Sequence, residues 1–214
     1  MEPVQNSLLN PKQQWRKAQR KRTGEKSASA VFLWGRRVVF EERAIFQNDA
    51  VIRMPKEFAE RAPEEGNPLF WAGTQPQHLF SSSRLHFTLA LSWTFNRISN
   101  ENIANITKVV QPLVPRIFPE SIVLREETFL KEEGSVSVLY IASPAAGGAR
   151  GNVLFFASAE NRLLIGNIAF SMQDAERMEP IALGMARSFR WTRKRFLVKG
   201  PYSVGLKSCL GRDD

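Results

Sequence analysis

The chain has 214 residues, of which 43% are hydrophobic, 24% charged and 10% aromatic, values that fit one folded domain with tails and exclude disorder throughout. A membrane-spanning helix needs about 20 consecutive apolar residues, and the longest apolar run, 30–34, ends at Gly35, Arg36 and Arg37, so no transmembrane segment is expected. One cysteine, Cys209, excludes an internal disulfide, two histidines, His78 and His86, argue against a zinc site, and the formal charge of +9 is unevenly spread.

Residues 1–28 read as a flexible basic arm, with Lys12, Arg16, Lys17, Arg20, Lys21, Arg22 and Lys26 against Glu2 and Glu25. Trp15 and Ala18 are the only apolar residues from 13 to 22, too few for the face of a membrane-docking helix. No apolar stretch of signal-peptide length follows, so a cytoplasmic address is expected.

A polar linker over 23–30 leads into a single α+β domain expected over 29–191. Short strands at 31–34 and 38–40 flank a Gly35-Arg36-Arg37 turn, and strands at 44–46 and 51–54 flank Gln47-Asn48-Asp49. Pro55 breaks the pattern, and 56–66 reads as a surface loop or short helix. His78 is placed in the turn made by Gln75-Pro76-Gln77.

From 84 to 94 the alternation is clear, with Leu85, Phe87, Leu89, Leu91 and Trp93 on one face and His86, Thr88, Ala90, Ser92 and Thr94 on the other. Ser99 to Asn102 supply capping residues for a helix with the stripe Ile103, Ile106, Val109, Val110, Leu113 and Val114. Pro112 should bend or shorten this helix and Pro115 should end it. Four strands follow at 121–130, 135–142, 152–159 and 163–171, an antiparallel meander. A last helix over 174–189, N-capped by Asp174, buries Met178, Ile181, Ala182, Met185 and Phe189. One helix before the meander and one after it predict helices packed on an antiparallel sheet of about six to seven strands, and Leu89 and Leu91 are expected to meet Ile106, Val110, Ile181 and Met185 on one face. Residues 192–214 form a basic tail, where Arg193, Lys194 and Arg195 follow Trp191.

The chemistry-bearing residues do not gather into a motif. Neither histidine neighbours a nucleophile elbow. Gly147-Gly148-Ala149-Arg150-Gly151 lacks the Lys-Ser/Thr ending of a phosphate loop, lies between strands and reads as a hairpin. Adjacent carboxylates such as Glu126-Glu127 point to opposite sides of a strand and make no acid/base couple. No catalytic, metal or cofactor-binding residue is therefore assigned.

Three features carry a family resemblance. They are the amphipathic strand Val51-Ile52-Arg53-Met54-Pro55-Lys56-Glu57-Phe58, the strand from Phe87 to Trp93, and a late Leu163-Leu164-Ile165-Gly166 strand running into a helix that ends in Ser188-Phe189. In these the chain, over about residues 44–191, resembles the PsbP-like and DcrB-like group of α/β/α sandwich proteins. The resemblance implies that fold and no activity, because understood members act by binding: stabilising a photosynthetic complex, engaging a small GTPase, or chaperoning secretion effectors. The basic arm, the 31–40 segment and the basic tail depart from that group.

The expectation is a non-enzymatic protein-binding domain, adaptor or chaperone-like, whose partner is another protein. Two other readings stay open. The basic tails could contact nucleic acid or an anionic surface through Arg16, Lys17, Arg20, Lys21, Arg22, Arg193, Lys194 and Arg195, or an unrecognised pocket could use His86, Arg125 and Glu126 as an enzyme.

Overall fold

A computed structural model of the chain describes residues 29–62, 75–131 and 134–192. Strands β1 (Ala30–Leu33), β2 (Arg36–Ile45) and β3 (Ala50–Pro55) form consecutive antiparallel hairpins. The first turn is Trp34-Gly35 alone, both at positive φ (46° and 76°), the two-residue geometry whose twist matches its flanking strands. Arg36 and Arg37, expected in that turn, already belong to β2, paired with Leu33 and Phe32.

The segment expected as a loop or short helix after Pro55 contributes β4 (Ala59–Arg61), which pairs with β5 (His78–Ser82). His78 thus opens a strand rather than sitting in the turn before it. β5 pairs with β6 (Leu85–Arg97), the strand with the clear alternation. The expected meander is β7 (Ile122–Phe129), β8 (Val136–Ala145), β9 (Gly148–Ala159) and β10 (Arg162–Ser171). The connection between β8 and β9 is shorter than its small, polar composition suggests: Ser143 to Ala145 and Gly148 to Arg150 continue the ladder, and the turn is Ala146-Gly147.

Pairing of β6 with β10 closes a seven-stranded antiparallel sheet in the order β4-β5-β6-β10-β9-β8-β7. A second sheet, of four strands, has the order β1-β2-β3-β11, its last strand being the short β11 (Arg190–Trp191). The helices are α1 (Ile103–Val110), the single turn α2 (Val114–Ile117) and α3 (Ala175–Ser188). Seven strands and two main helices match the expected α/β/α sandwich, and the second sheet adds to it. Pro115 starts α2 instead of ending a helix, because proline's missing N–H costs nothing in a first turn. Asp174 does not cap α3 with its side chain; its carboxylate accepts the Trp34 indole N–H at 3.1 Å, and Ser171 Oγ accepts from the Gln173 N–H instead.

The two main helices cover opposite faces of the large sheet, which corrects the expectation that both meet Leu89 and Leu91. On one face Leu89, Leu91, Val138, Phe155 and Ile168 are fully buried with Met178, Ala182 and Met185 of α3 and with Ile52 and Met54 of the small sheet; Ile181 is half-buried there. On the other face Ile103 and Val110 of α1 pack with Leu139, Ile141, Leu154 and Phe156, and Ile106 lies beside them. Strands β8, β9 and β10 are buried on both sides, so each carries core residues on both of its faces.

Polar and aromatic contacts tie the end of α3 to its surroundings. Ser188 Oγ accepts from the Arg53 N–H of β3 at 2.9 Å and donates to the Met185 carbonyl, while Phe189 packs on Phe155 with ring centroids 6.0 Å apart. The Ser188-Phe189 pair is therefore a splice between helix and core. Arg190, just beyond, makes a two-pronged 2.7 Å bridge to Glu42 across β3 and holds that exposed carboxyl below the usual carboxylate range.

Glu179, 7% exposed on α3, receives Arg125 of β7 at 3.2 Å, and Arg125 also meets Glu127. Burial, with the Glu179 charge adding to it, pushes the Tyr140 phenol upward, so its hydroxyl stays protonated and donates to Met172 Sδ at 3.3 Å. Removing one partner of such a pair strands the other charge. Arg125→Met should destabilise the fold by about 3 kcal/mol, whereas pairing it with Glu179→Met should return most of the loss. Urea unfolding of the single and double variants checks this, and additive losses would refute the coupling.

Candidate functional site

The eight residues proposed for polyanion contact, Arg16, Lys17, Arg20, Lys21, Arg22, Arg193, Lys194 and Arg195, lie outside the described residues. The three candidates for an enzyme pocket do not converge. Glu126 faces α1 and accepts a hydrogen bond from the Thr107 hydroxyl, while its neighbour Arg125 faces α3. His86 stands on β6, exposed, with its ring edge-on to Trp34 at 5.3 Å. Among the described residues no group of three or more His, Cys, Asp or Glu side chains is placed to hold a metal ion, and no helix is long and apolar enough to cross a membrane.

His78 and Trp191 join an aromatic cluster where the two sheets meet. Phe46, at the β2–β3 turn, lies 4.7 Å from His78, 6.1 Å from Trp93 and 6.4 Å from Trp191, and the two tryptophans are 5.0 Å apart. His78 Nδ1 is 2.6 Å from Glu60, which accounts for its polar end. Arg162 lies over the Trp93 ring at 4.0 Å and the Phe95 ring at 4.7 Å, and its Nε donates to the Thr94 carbonyl. Trp191 therefore has a packing role, half-buried between the sheets.

The first hairpin has two unlike faces. Leu33 and Val38, 2% and 1% exposed, turn into the core, so period-2 alternation turns Phe32, Arg37 and Val39 outward. Phe32 is 76% exposed and sits directly opposite Arg37, and Val39 is 40% exposed two pairs further on. Arg36 and Arg37 meet no carboxylate among the described residues; Glu41, next along the outer face, is engaged by Arg43 at 3.4 Å. Among the described residues β1 pairs with β2 alone, which leaves its other edge of backbone N–H and C=O groups open within the small sheet. An apolar side chain, the cation of Arg37 and an open strand edge thus share one surface. The sequence offers no sign of this, because Phe32 lies inside an apolar run that reads as core.

No protein-family model matches the chain, and no curated protein sequence matches it. Among solved structures, the cyanobacterial PsbP (CyanoP) of Synechocystis sp. PCC 6803 is similar with a TM-score of 0.51 at 8% identity, over 80% of this chain and 98% of that one. The Ran-binding protein Mog1p of Saccharomyces cerevisiae aligns with a TM-score of 0.43 at 11% identity, over 72% and 96% of the two chains. A Pseudomonas aeruginosa protein of unknown function, PA94, aligns with a TM-score of 0.42 at 9% identity, over 72% and 98%. With its seven-stranded antiparallel sheet between helices, the chain shares the fold of cyanobacterial PsbP.

Proposed function

We propose that this protein is a non-enzymatic, cytoplasmic protein-binding domain that receives an extended, acidic segment of a partner protein along β1. The observation that carries the reading is Phe32, an aromatic side chain 76% exposed on an open edge strand and faced by the unpaired Arg37. A strand added to such an edge gains main-chain hydrogen bonds, while alternate side chains meet the apolar and cationic positions. The fold shared with PsbP agrees with a binding role, as does the separation of His86, Arg125 and Glu126 onto different surfaces.

The test is fluorescence anisotropy with a labelled decapeptide alternating Glu and Val. Phe32→Ser and Arg37→Glu should each weaken binding about tenfold or more, as truncation of an interface anchor does. Peptide binding unchanged in both variants would overturn the proposal. The tail reading predicts something else: loss of binding on deleting residues 1–28, equal capture of single-stranded DNA, and a steep fall with salt.

A further inference from the structure

At the end of β10 the large sheet has a notch. The chain leaves the sheet after Ser171 to enter α3, but the neighbouring hairpins, β5–β6 on one side and β8–β9 on the other, run on past that point. The cleft between them has a volume of about 490 Å³, within the range of small-molecule sites. Its floor follows from the register. Ser171 pairs with Arg150, and Ala169 pairs with Thr88 on one side and Asn152 on the other, so Arg150, Ser171 and Thr88 share a face of the sheet. His86, two residues before Thr88, lies on that same face.

The charge of the cleft is one-sided. Arg150 and His86 line it together with the hydroxyl residues Ser81, Thr88 and Ser171, and among the described residues no carboxylate does. At the lip, Ser82 donates a long 3.4 Å bond to the exposed Glu57. Asp174, near His86 through Trp34, is engaged by the Trp34 indole. Arg150 is half-buried and meets no carboxylate among the described residues. Behind it runs a polar chain: Ser121 Oγ donates to Ser143 Oγ at 2.9 Å, Asn152 Nδ2 to Ser143 Oγ at 3.3 Å, and Asn167 Nδ2 to Asn152 Oδ1 at 3.3 Å. Ser143 also pairs in register with Arg150. A guanidinium withdrawn from solvent is costly until an anion meets it, and its planar fork matches the two oxygens of a carboxylate or phosphate.

We propose that this notch binds the oxyanion head of a small molecule, a carboxylate or a phosphate, with Arg150 as the charge partner and Ser171 and Thr88 as hydroxyl donors. The site is separate from the hairpin surface, so either stands without the other.

The experiment is a titration of the full chain with inorganic phosphate and, in a parallel arm, acetate, read by amide chemical shifts. The expected result is saturable shifts at Arg150, Ser171 and Thr88 in at least one arm, with the stronger arm naming the head group. Arg150→Gln should weaken that binding at least tenfold, Arg150→Lys should weaken it less, and the exposed Arg116→Gln should leave it unchanged. Both basic tails remain in every variant, so anion capture by the tails would not follow this order. Absence of saturable shifts at the notch in both arms of the parent protein, or equal affinity in Arg150→Gln with a native spectrum, would overturn the proposal.

Discussion

Replacing Gly166 by alanine is expected to destabilise the fold by about 3 kcal/mol or more, at the upper end of what overpacking a core costs. Gly166 lies on β10 directly opposite Phe155 of β9, and the Phe155 ring occupies the space that a Cβ at position 166 would need. The ring cannot step aside easily. Phe155 has no exposed surface, and Phe189 packs against it at the end of α3. A methyl group at 166 therefore displaces a core aromatic and, through Phe189, the splice that ends the helix. Urea unfolding of Gly166→Ala measures the cost, and a transition midpoint equal to the parent's would refute the argument. Adding Phe155→Ala to Gly166→Ala should cost much less than the sum of the two single changes, since the second removes the ring with which the first collides.

Leu89→Ala should cost about 2–5 kcal/mol through lost burial plus the cavity left behind, a large share of the roughly 5–15 kcal/mol that holds a typical domain together. Leu89 is fully buried at the centre of the face under α3, in a cross-strand row with Phe80 of β5, Ile168 of β10 and Val153 of β9. Neighbours fixed on three strands cannot close around the hole. Thr88, one residue away, is half-buried on the other face, and Thr88→Ala should cost less than about 1 kcal/mol. A pair of thermal melts decides the matter: equal losses at 88 and 89 would contradict the assignment of faces.

The strand bearing Leu89 was legible because β6 alternates, with one apolar face and one polar face. The partner of each helix was not. Strands β8, β9 and β10 are apolar on both sides: Val138, Phe155 and Ile168 face α3 while Leu139, Leu154 and Leu163 face α1. A continuous apolar run carries no mark of which helix lies on which side, so the pattern points both helical stripes to the one face that alternation reveals. The four-residue motif Leu163-Leu164-Ile165-Gly166 shows the same limit from another direction. It was visible as a pattern, but the reason for its glycine is the ring of a residue on the next strand.

The candidate surfaces were less legible than the core. Exposure of Phe32 depends on β1 lying at the edge of a second sheet that local periodicity does not reveal. Arg150 read as part of a glycine-rich hairpin. Its surroundings arise only when β10 stops between two longer hairpins, an event of tertiary topology. The short strands β4, β5 and β11 are not visible in the sequence: β4 is three residues in a charged stretch, Gln75-Pro76-Gln77 dominates the start of β5, and the two residues of β11 carry no period.

The order of strands also has a consequence for how the chain reaches this structure. Three groups, β1 to β3, β4 to β6 and β7 to β10, pair only with sequence neighbours inside each group. What joins the last two is the seam between β6 and β10, where Phe87 meets Phe170 across about half of the domain's length. Local hairpins form early, whereas a contact that closes so long a loop must first overcome its entropy. The seam is the late step, and Leu89, opposite Ile168, stands on it. Interactions made after the transition state govern how fast a fold comes apart rather than how fast it assembles. Together with the still longer-range pairing of β3 with β11, this seam therefore weighs on the lifetime of the folded molecule, and in a chevron plot Leu89→Ala should lift the unfolding limb while leaving the refolding limb nearly in place.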